Sequence, residues 1–248
     1  MIEAIVTDIE GTTSSLAFVK EVLFPYARER LADFVRTRRD DPEVKAVVEE
    51  IRALAGRELD LEQVIARLLE WSDQDRKIPP LKTLQGMIWR WGYENGDFQG
   101  HLYEDAARML RRWKLQGIAL YVFSSGSVAA QKLLFGHTAF GDLTPLFRGF
   151  FDTRTGSKKE PESYRKIAGN IGLEPGAILF LSDVEAELDA AAKAGMKVIQ
   201  VVREEALQPP SAFLQVCDFE EIDRLLQQGS MGPEGSPQPA HQADGGKK

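Results

Sequence analysis

The rhythm of hydrophobic positions changes twice along this chain. Residues 2–7 form a short, mostly apolar run that ends against Asp8. A run of that length and character predicts a buried parallel strand. Gly11, Thr12 and Thr13 then break the pattern, which predicts a tight turn with exposed backbone amides. From about Ser15 to Gly96 the rhythm is helical and shows no convincing strand. Apolar residues recur at helical spacing over 16–36, 42–55, 61–71 and 81–93, with breakers at Asp40-Asp41-Pro42, Gly56 and Pro79-Pro80. Pro25 is expected to kink or split the first of these helices.

Past Gly96 the two rhythms alternate. Helices are predicted over 103–116, 128–135, 163–171 and 185–194, and strands over 118–123, 147–151, 177–181 and 197–202. Alternation of this kind predicts an α/β fold, a Rossmann-like parallel sheet with helices on both faces. The helical stretch is then an inserted cap domain. The expected organisation is a core of residues 1–14 and 97–228, a helical cap of 15–96, and a tail of 229–248. That tail is rich in glycine, proline and polar residues and is expected to be disordered. His241 falls in it and is not assigned to chemistry.

Composition narrows the functional classes. The formal net charge is −7, so the chain lacks the basic footprint of a nucleic-acid or anionic-membrane binder. The lone cysteine, Cys217, has no metal-ligand spacing and is expected to be a small buried thiol. The first residues show no signal-peptide pattern, and no run approaches the roughly 20 apolar residues of a membrane span. Cytoplasmic residence is expected. With no long heptad, a monomer is expected.

In an open parallel sheet, ligands bind outside the carboxyl ends of the strands. The first predicted strand ends at Asp8 and Glu10, the second at Ser124 and Ser125, the fourth at Asp183, and Lys158-Lys159 follows the third. Polar residues terminate strands routinely, so any one of these is uninformative. The four together, in this order, are not.

These residues stand in the sequences DIEGTT, VFSSGS, TGSKKEPESY and LFLSDVEAELDAA. In that order they resemble the motifs of haloacid-dehalogenase-like phosphatases over residues 1 to about 202, with the cap between the first and second motifs. Most phosphatases of that superfamily carry a second aspartate where this chain has Glu10. In this respect, and in FVKEVLFPYARE, LQGMIWRWGY, SSGSVAAQKLLFGHT and ESYRKIA, the chain resembles the enolase-phosphatase family of methionine salvage.

The resemblance implies a single Mg²⁺ held by Asp8, Glu10 and Asp183, with the Glu10 position contributing its backbone carbonyl. Magnesium prefers oxygen ligands and accepts one or two carboxylates. Asp8 is the implied nucleophile, forming an aspartyl-phosphate, and Glu10 the implied general acid and base and candidate enolising base. Ser124 and Ser125, with the amide of Gly126, would bind the phosphoryl oxygens. Lys158, chosen over Lys159 by its position after Gly156, would neutralise charge on phosphate and Asp8. Glu187, four residues past Asp183, would either orient a water or Lys158 or simply face solvent. The implied substrate is a small phosphorylated diketone, 2,3-diketo-5-methylthiopentyl-1-phosphate, converted to an acireductone. The alternatives are a magnesium-dependent phosphatase of another small ester and a catalytically inert scaffold; the intact motif set argues against the scaffold. In the cap, Trp89, Trp91 and Tyr93 are expected to pack its own core rather than the substrate tail. Lys20 and Lys82 are expected on a solvated surface, and His101 and His137, which have no evident partner, are read as structural.

Overall fold

The computed structural model describes residues 1–56, 58–203 and 211–229. Apart from Gly229, the tail expected to be disordered, His241 included, lies outside the described residues. Six strands are described: β1 (Ala4–Thr7), β2 (Ala119–Phe123), β3 (Phe147–Phe151), β4 (Ile178–Ser182), β5 (Lys197–Val201) and β6 (Gln215–Val216). The α-helices among the described residues are α1 (Phe24–Thr37), α2 (Pro42–Ala55), α3 (Leu61–Asp73), α4 (Pro79–Asn95), α5 (Glu104–Leu115), α6 (Val128–Gly136), α7 (Pro161–Ile171), α8 (Glu185–Lys193) and α9 (Phe219–Gln228). They fall into two compact units, residues 1–13, 104–125 and 146–248 in one and 14–103 and 126–145 in the other.

The first unit is built on one parallel sheet in the order β3-β2-β1-β4-β5-β6. β1 lies at its centre, paired with β2 and β4 and wholly buried. Burial on both faces explains why its sequence is continuously apolar rather than alternating. On one face, Ala4, Val6, Phe123 and Phe180 pack with Tyr164 and Ile167 of α7 and Leu188 and Ala191 of α8. In the same unit α5 packs on β2 and on α9. There Trp113 stacks on Phe219 at 5.4 Å and donates its indole N–H to the buried Asp223 carboxylate at 3.1 Å.

Two elements of this unit were not foreseen, β6 and α9. The signal for α9 was present. Asp218 caps it by accepting from the Glu221 amide, and Glu221 accepts from the amide of Cys217, so Asp218 to Glu221 forms a local capping arrangement. Cys217 itself is only half-buried, a correction to the buried thiol expected. Strand β6 is two residues long, too short to leave a periodic trace.

The second unit is helical. Its core is formed by Leu31, Val47, Ile51, Leu68, Leu84 and Ile88, with their neighbours on α1 to α4. The punctuation read in the sequence acts as caps. Asp41 accepts from the Glu43 amide ahead of Pro42, and Asp60 and Gln63 form a reciprocal capping box. Ahead of Pro25 the chain forms a π-helical turn, Phe18–Leu23, which then passes into α1. Proline lacks the N–H that a regular α-turn would require there.

This unit is larger than the 15–96 stretch read from periodicity, because 97–103 and 126–145 also pack within it. Gly100 makes that possible. Its amide donates to the His137 carbonyl, and a side chain at this position would collide with the backbone of Leu134. His101 and His137 both have partners. His101 Nδ1 accepts from the Ser15 amide at 3.0 Å, and His137 Nδ1 lies 2.9 Å from the Leu133 carbonyl. Trp89 donates to the Leu23 carbonyl at 2.7 Å. Tyr93 is buried against Phe98 and His137, whereas Trp91 is partly exposed. Lys20 and Lys82 are exposed.

Candidate active site

The site grows out of the carboxyl edge of the sheet. The ladder places Thr7 of β1 beside Val122 of β2 and Leu181 of β4. Asp8, Ser124 and Asp183 therefore emerge within one or two residues of the same level. The Asp8 amide continues the ladder by donating to the Leu181 carbonyl at 2.9 Å, so the nucleophile candidate sits on rigid strand backbone. Its own carbonyl accepts from Thr7 Oγ1 and Thr13 Oγ1. The amides of Thr12 and Thr13 both return to the Ile9 carbonyl, closing the predicted turn.

Gly11 has φ +76°, a conformation that disfavours side-chain-bearing residues. There is a second reason for glycine. Any Cβ at Gly11 would collide with the Asp183 carboxylate. The turn after β1 and the turn after β4 therefore touch through a residue without a side chain. Thr12 adds a hydrogen bond, its Oγ1 accepting from the Asp183 amide at 3.0 Å. On the other side, Gln200 Nε2 donates to the Asp183 carbonyl at 3.0 Å.

Lys158 arrives from the loop before α7. Its Nζ lies 2.6 Å from Asp8 Oδ1 and 2.6 Å from Glu187 Oε2, with all three side chains buried. The buried Tyr164 of α7 anchors the loop by donating to the Lys158 carbonyl at 2.7 Å. Ser182 Oγ donates to the same Glu187 oxygen at 2.9 Å. Of the two readings of Glu187, the one that pairs it with Lys158 holds and the solvent-facing one does not. Ser124 is buried at the end of β2 and Ser125 beside it is exposed. Glu10 is half-buried.

The charges do not balance locally. Burial alone would lower the Lys158 ammonium, but the carboxylates of Asp8 and Glu187 outweigh it and hold the group above the ordinary lysine range. Burial and the neighbouring Asp8 push Glu187 up, against the pull of Lys158 and Ser182. Burial and then Asp8 push the Asp183 carboxyl up to about 6, with Glu10 adding to the shift. One ammonium thus faces several carboxylates. Asp183 Oδ1 is buried with no hydrogen-bond partner, a state that costs free energy unless something positive completes it.

That oxygen is the test of whether the residues fit a metal. No three His, Cys, Asp or Glu side chains converge as a metal cluster among the described residues. Magnesium does not require three, since one or two carboxylates suffice when carbonyl, water and substrate oxygens complete the shell. The two carboxylates Asp8 and Asp183, at the ends of neighbouring strands and one with an unpartnered buried oxygen, fit it. Sequence reading missed Thr12, Ser182 and Gln200 as parts of this arrangement, because hydroxyl and amide side chains carry no positional signature of their own.

A family model for haloacid dehalogenase-like hydrolases matches residues 2–195. Among curated proteins, the chain is 60% identical over 223 residues to an enolase-phosphatase E1 of Methylococcus capsulatus, covering 90% of this chain and 98% of that one. It is 50% identical to the enolase-phosphatase E1 of Aquifex aeolicus over 90% of this chain and all of that one. Among solved structures it is similar to the UTR4 protein of Saccharomyces cerevisiae, with a TM-score of 0.78 at 35% identity, covering 89% of this chain and 99% of the other. The L-2-haloacid dehalogenase of Xanthobacter autotrophicus shares the fold, with a TM-score of 0.53 at 19% identity, covering 92% and 99%.

Proposed function

We propose, from the premise that this chain belongs to the enolase-phosphatase E1 family of haloacid dehalogenase-like hydrolases, that it converts 2,3-diketo-5-methylthiopentyl-1-phosphate through its enol to an acireductone and inorganic phosphate, in methionine salvage. The observation that carries the phosphatase half is the Asp8 carboxylate on its strand end, 2.6 Å from the buried Lys158 ammonium, with an unpartnered Asp183 oxygen at the end of the neighbouring strand. A carboxylate positioned against a cation and a metal-ready acid is equipped to attack phosphorus.

Mg²⁺, held by Asp8, Asp183 and the Glu10 carbonyl, would supply charge neutralisation for the substrate oxygens. The chain's own residues do the rest. Lys158 holds the Asp8 carboxylate in one orientation and meets the charge on the phosphoryl group; Glu187 holds Lys158 there, itself held by Ser182. Ser124 and Ser125 donate to phosphoryl oxygens. Asp8 forms a bond to phosphorus as the ester P–O bond breaks, and Glu10 gives its proton to the departing oxygen. Glu10 then takes a proton from the water that attacks the aspartyl-phosphate, which frees phosphate and regenerates Asp8. Before that, a base removes the proton next to the diketone while the carbonyl oxygen takes a proton from solvent, giving the enol; Glu10 is the candidate, carrying the removed proton into the phosphoryl step and releasing one to solvent at the end of the cycle. In this reading residues 15–96 are the inserted cap, the larger part of the helical unit, and the protein is a cytoplasmic monomer.

Phosphate release from the diketo phosphate, followed with enol absorbance with and without Mg²⁺, tests this. Enol formation together with magnesium-dependent release is expected. Release without any enol would leave the alternative, a phosphatase of another small ester. Glu10→Asp, which draws the carboxyl back by roughly 1.5 Å, is expected to impair enolisation more than phosphate release. Equal, normal rates for both would remove Glu10 as the enolising base.

A further inference from the structure

Arg203 follows the end of β5 and plays no part in the chemistry above. Its side chain is nine-tenths buried, with 9% exposure, and its partner Asp105 has 17%. The guanidinium fork spans two elements. Nε donates to the Thr12 carbonyl at 2.9 Å, and a terminal nitrogen donates to Asp105 Oδ2 at 2.7 Å. The same Asp105 oxygen accepts from the Phe219 amide at 2.8 Å, and the guanidinium lies over the Phe219 ring. The first turn of α5 and the first turn of α9 thus hold the arginine, and the arginine holds the loop after β1.

Burying an ion pair seldom raises stability, because desolvation offsets the Coulombic gain. The purpose must be sought in what the arginine orients. Its target is the carbonyl of the residue whose hydroxyl accepts from the Asp183 amide. The Thr12 carbonyl belongs to the same peptide as the Thr13 amide, which returns to Ile9. Fixing that peptide fixes Thr12, and with it the contact of Gly11 with the Asp183 carboxylate. The Asp183 backbone is then gripped from the Thr12 side and, through Gln200, from the other.

We propose that Arg203 is a positioning residue, the central link of a chain Asp105–Arg203–Thr12–Asp183 that sets the distance between the carboxylates of Asp8 and Asp183 and so tunes cation affinity. This rests on the reading that those two carboxylates hold Mg²⁺. Outer partners of metal ligands are worth about 10- to 100-fold in affinity, and Arg cannot be exchanged for a residue without the fork geometry at no loss.

The test is calorimetric titration of Mg²⁺ alone into the full chain, in wild type, Arg203→Met, Thr12→Val and Thr12→Ser. Arg203→Met and Thr12→Val are expected to weaken Mg²⁺ binding by about 10-fold or more. Thr12→Ser, which keeps the hydroxyl, stays near wild type. The Arg203→Met/Thr12→Val double variant loses less than the two single losses combined, since both cut one chain. Folded variants that bind Mg²⁺ like wild type would overturn the proposal while leaving the metal site standing. If Arg203→Met does not fold, Thr12→Val and Thr12→Ser decide, and equal affinity in those two overturns it. Wild-type protein that binds no Mg²⁺ would remove the metal-site reading, and the positioning role with it.

Discussion

The sheet unit and the helical unit bury polar groups in opposite ways. Among the described residues, the buried acidic and basic side chains Asp8, Asp152, Lys158, Glu187 and Asp223 all belong to the sheet unit. The helical unit buries aliphatic and aromatic side chains and keeps its ion pairs, such as Arg28–Asp73 and Arg36–Glu62, on the surface. The helical unit therefore follows the ordinary rule of an apolar core under a charged skin. The sheet unit departs from it, most sharply at its carboxyl edge, where the desolvated charges of Asp8, Lys158 and Glu187 are held together. The difference marks where stability and function compete: the helical core can be read as packing, and the strand ends as chemistry that packing must hold in place.

The comparison is tested most severely in the helical core. Leu68 of α3 is fully buried, and Leu68→Ala should cost about 2–5 kcal/mol by lost burial and residual cavity. Urea denaturation would measure it. A loss well below that range would mean that this core is loosely packed and that the contrast between the units is weaker than drawn.

The next effect has the opposite sign. Asp183 has its folded pKa raised to about 6 from 3.8, chiefly by burial and then by Asp8. The folded, metal-free protein therefore binds this proton more tightly than the unfolded chain. The group's contribution to stability is greatest below the unfolded value and declines as pH rises from about 4 to about 6. At pH 7 the ionised carboxylate then costs the metal-free protein up to about 3 kcal/mol. Asp183→Asn should accordingly raise the thermal midpoint of metal-free protein at pH 7, and the gain should shrink as pH falls toward 4. Mg²⁺ should stabilise the wild type but not the variant. A variant less stable than wild type at pH 7 would show that Asp183 is not the strained group described here.

The smallest effect belongs to the surface of the helical unit. Arg36 pairs with Glu62 and Asp33 in full contact with solvent, where such pairs add little. Arg36→Ala should leave the denaturation midpoint unchanged within scatter. A clear shift would show that the surface network contributes to this unit as the core does.

The elements were legible wherever local chemistry decides them. Pro42 and Ala55 bound α2 as the breakers predicted, and strand β3 occupies the residues read from its apolar run. The site was legible in part, because the residues that react must be of certain types at strand ends. Asp8 and Asp183 were singled out by that logic and Lys158 by the family resemblance, and the structure brings Lys158 to Asp8. Thr12, Gln200 and Arg203 were not, since a hydroxyl, an amide or an arginine at those positions looks like any other until its partner is known.

By itself the sequence determined the sheet-and-helix rhythm, the caps, the net negative charge, and the chemical types of the side chains at the strand ends. These depend on short-range periodicity and on chemical type, both of which lie within a few residues of one another. Tertiary structure alone decided that Glu187 pairs with Lys158, that residues 126–145 pack with the helical unit, and that Arg203 reaches Thr12 across 191 positions of chain and Asp105 across 98. Such contacts form only when distant segments are brought together by burial of the apolar sheet, and no local pattern in the chain records which polar partners will then meet.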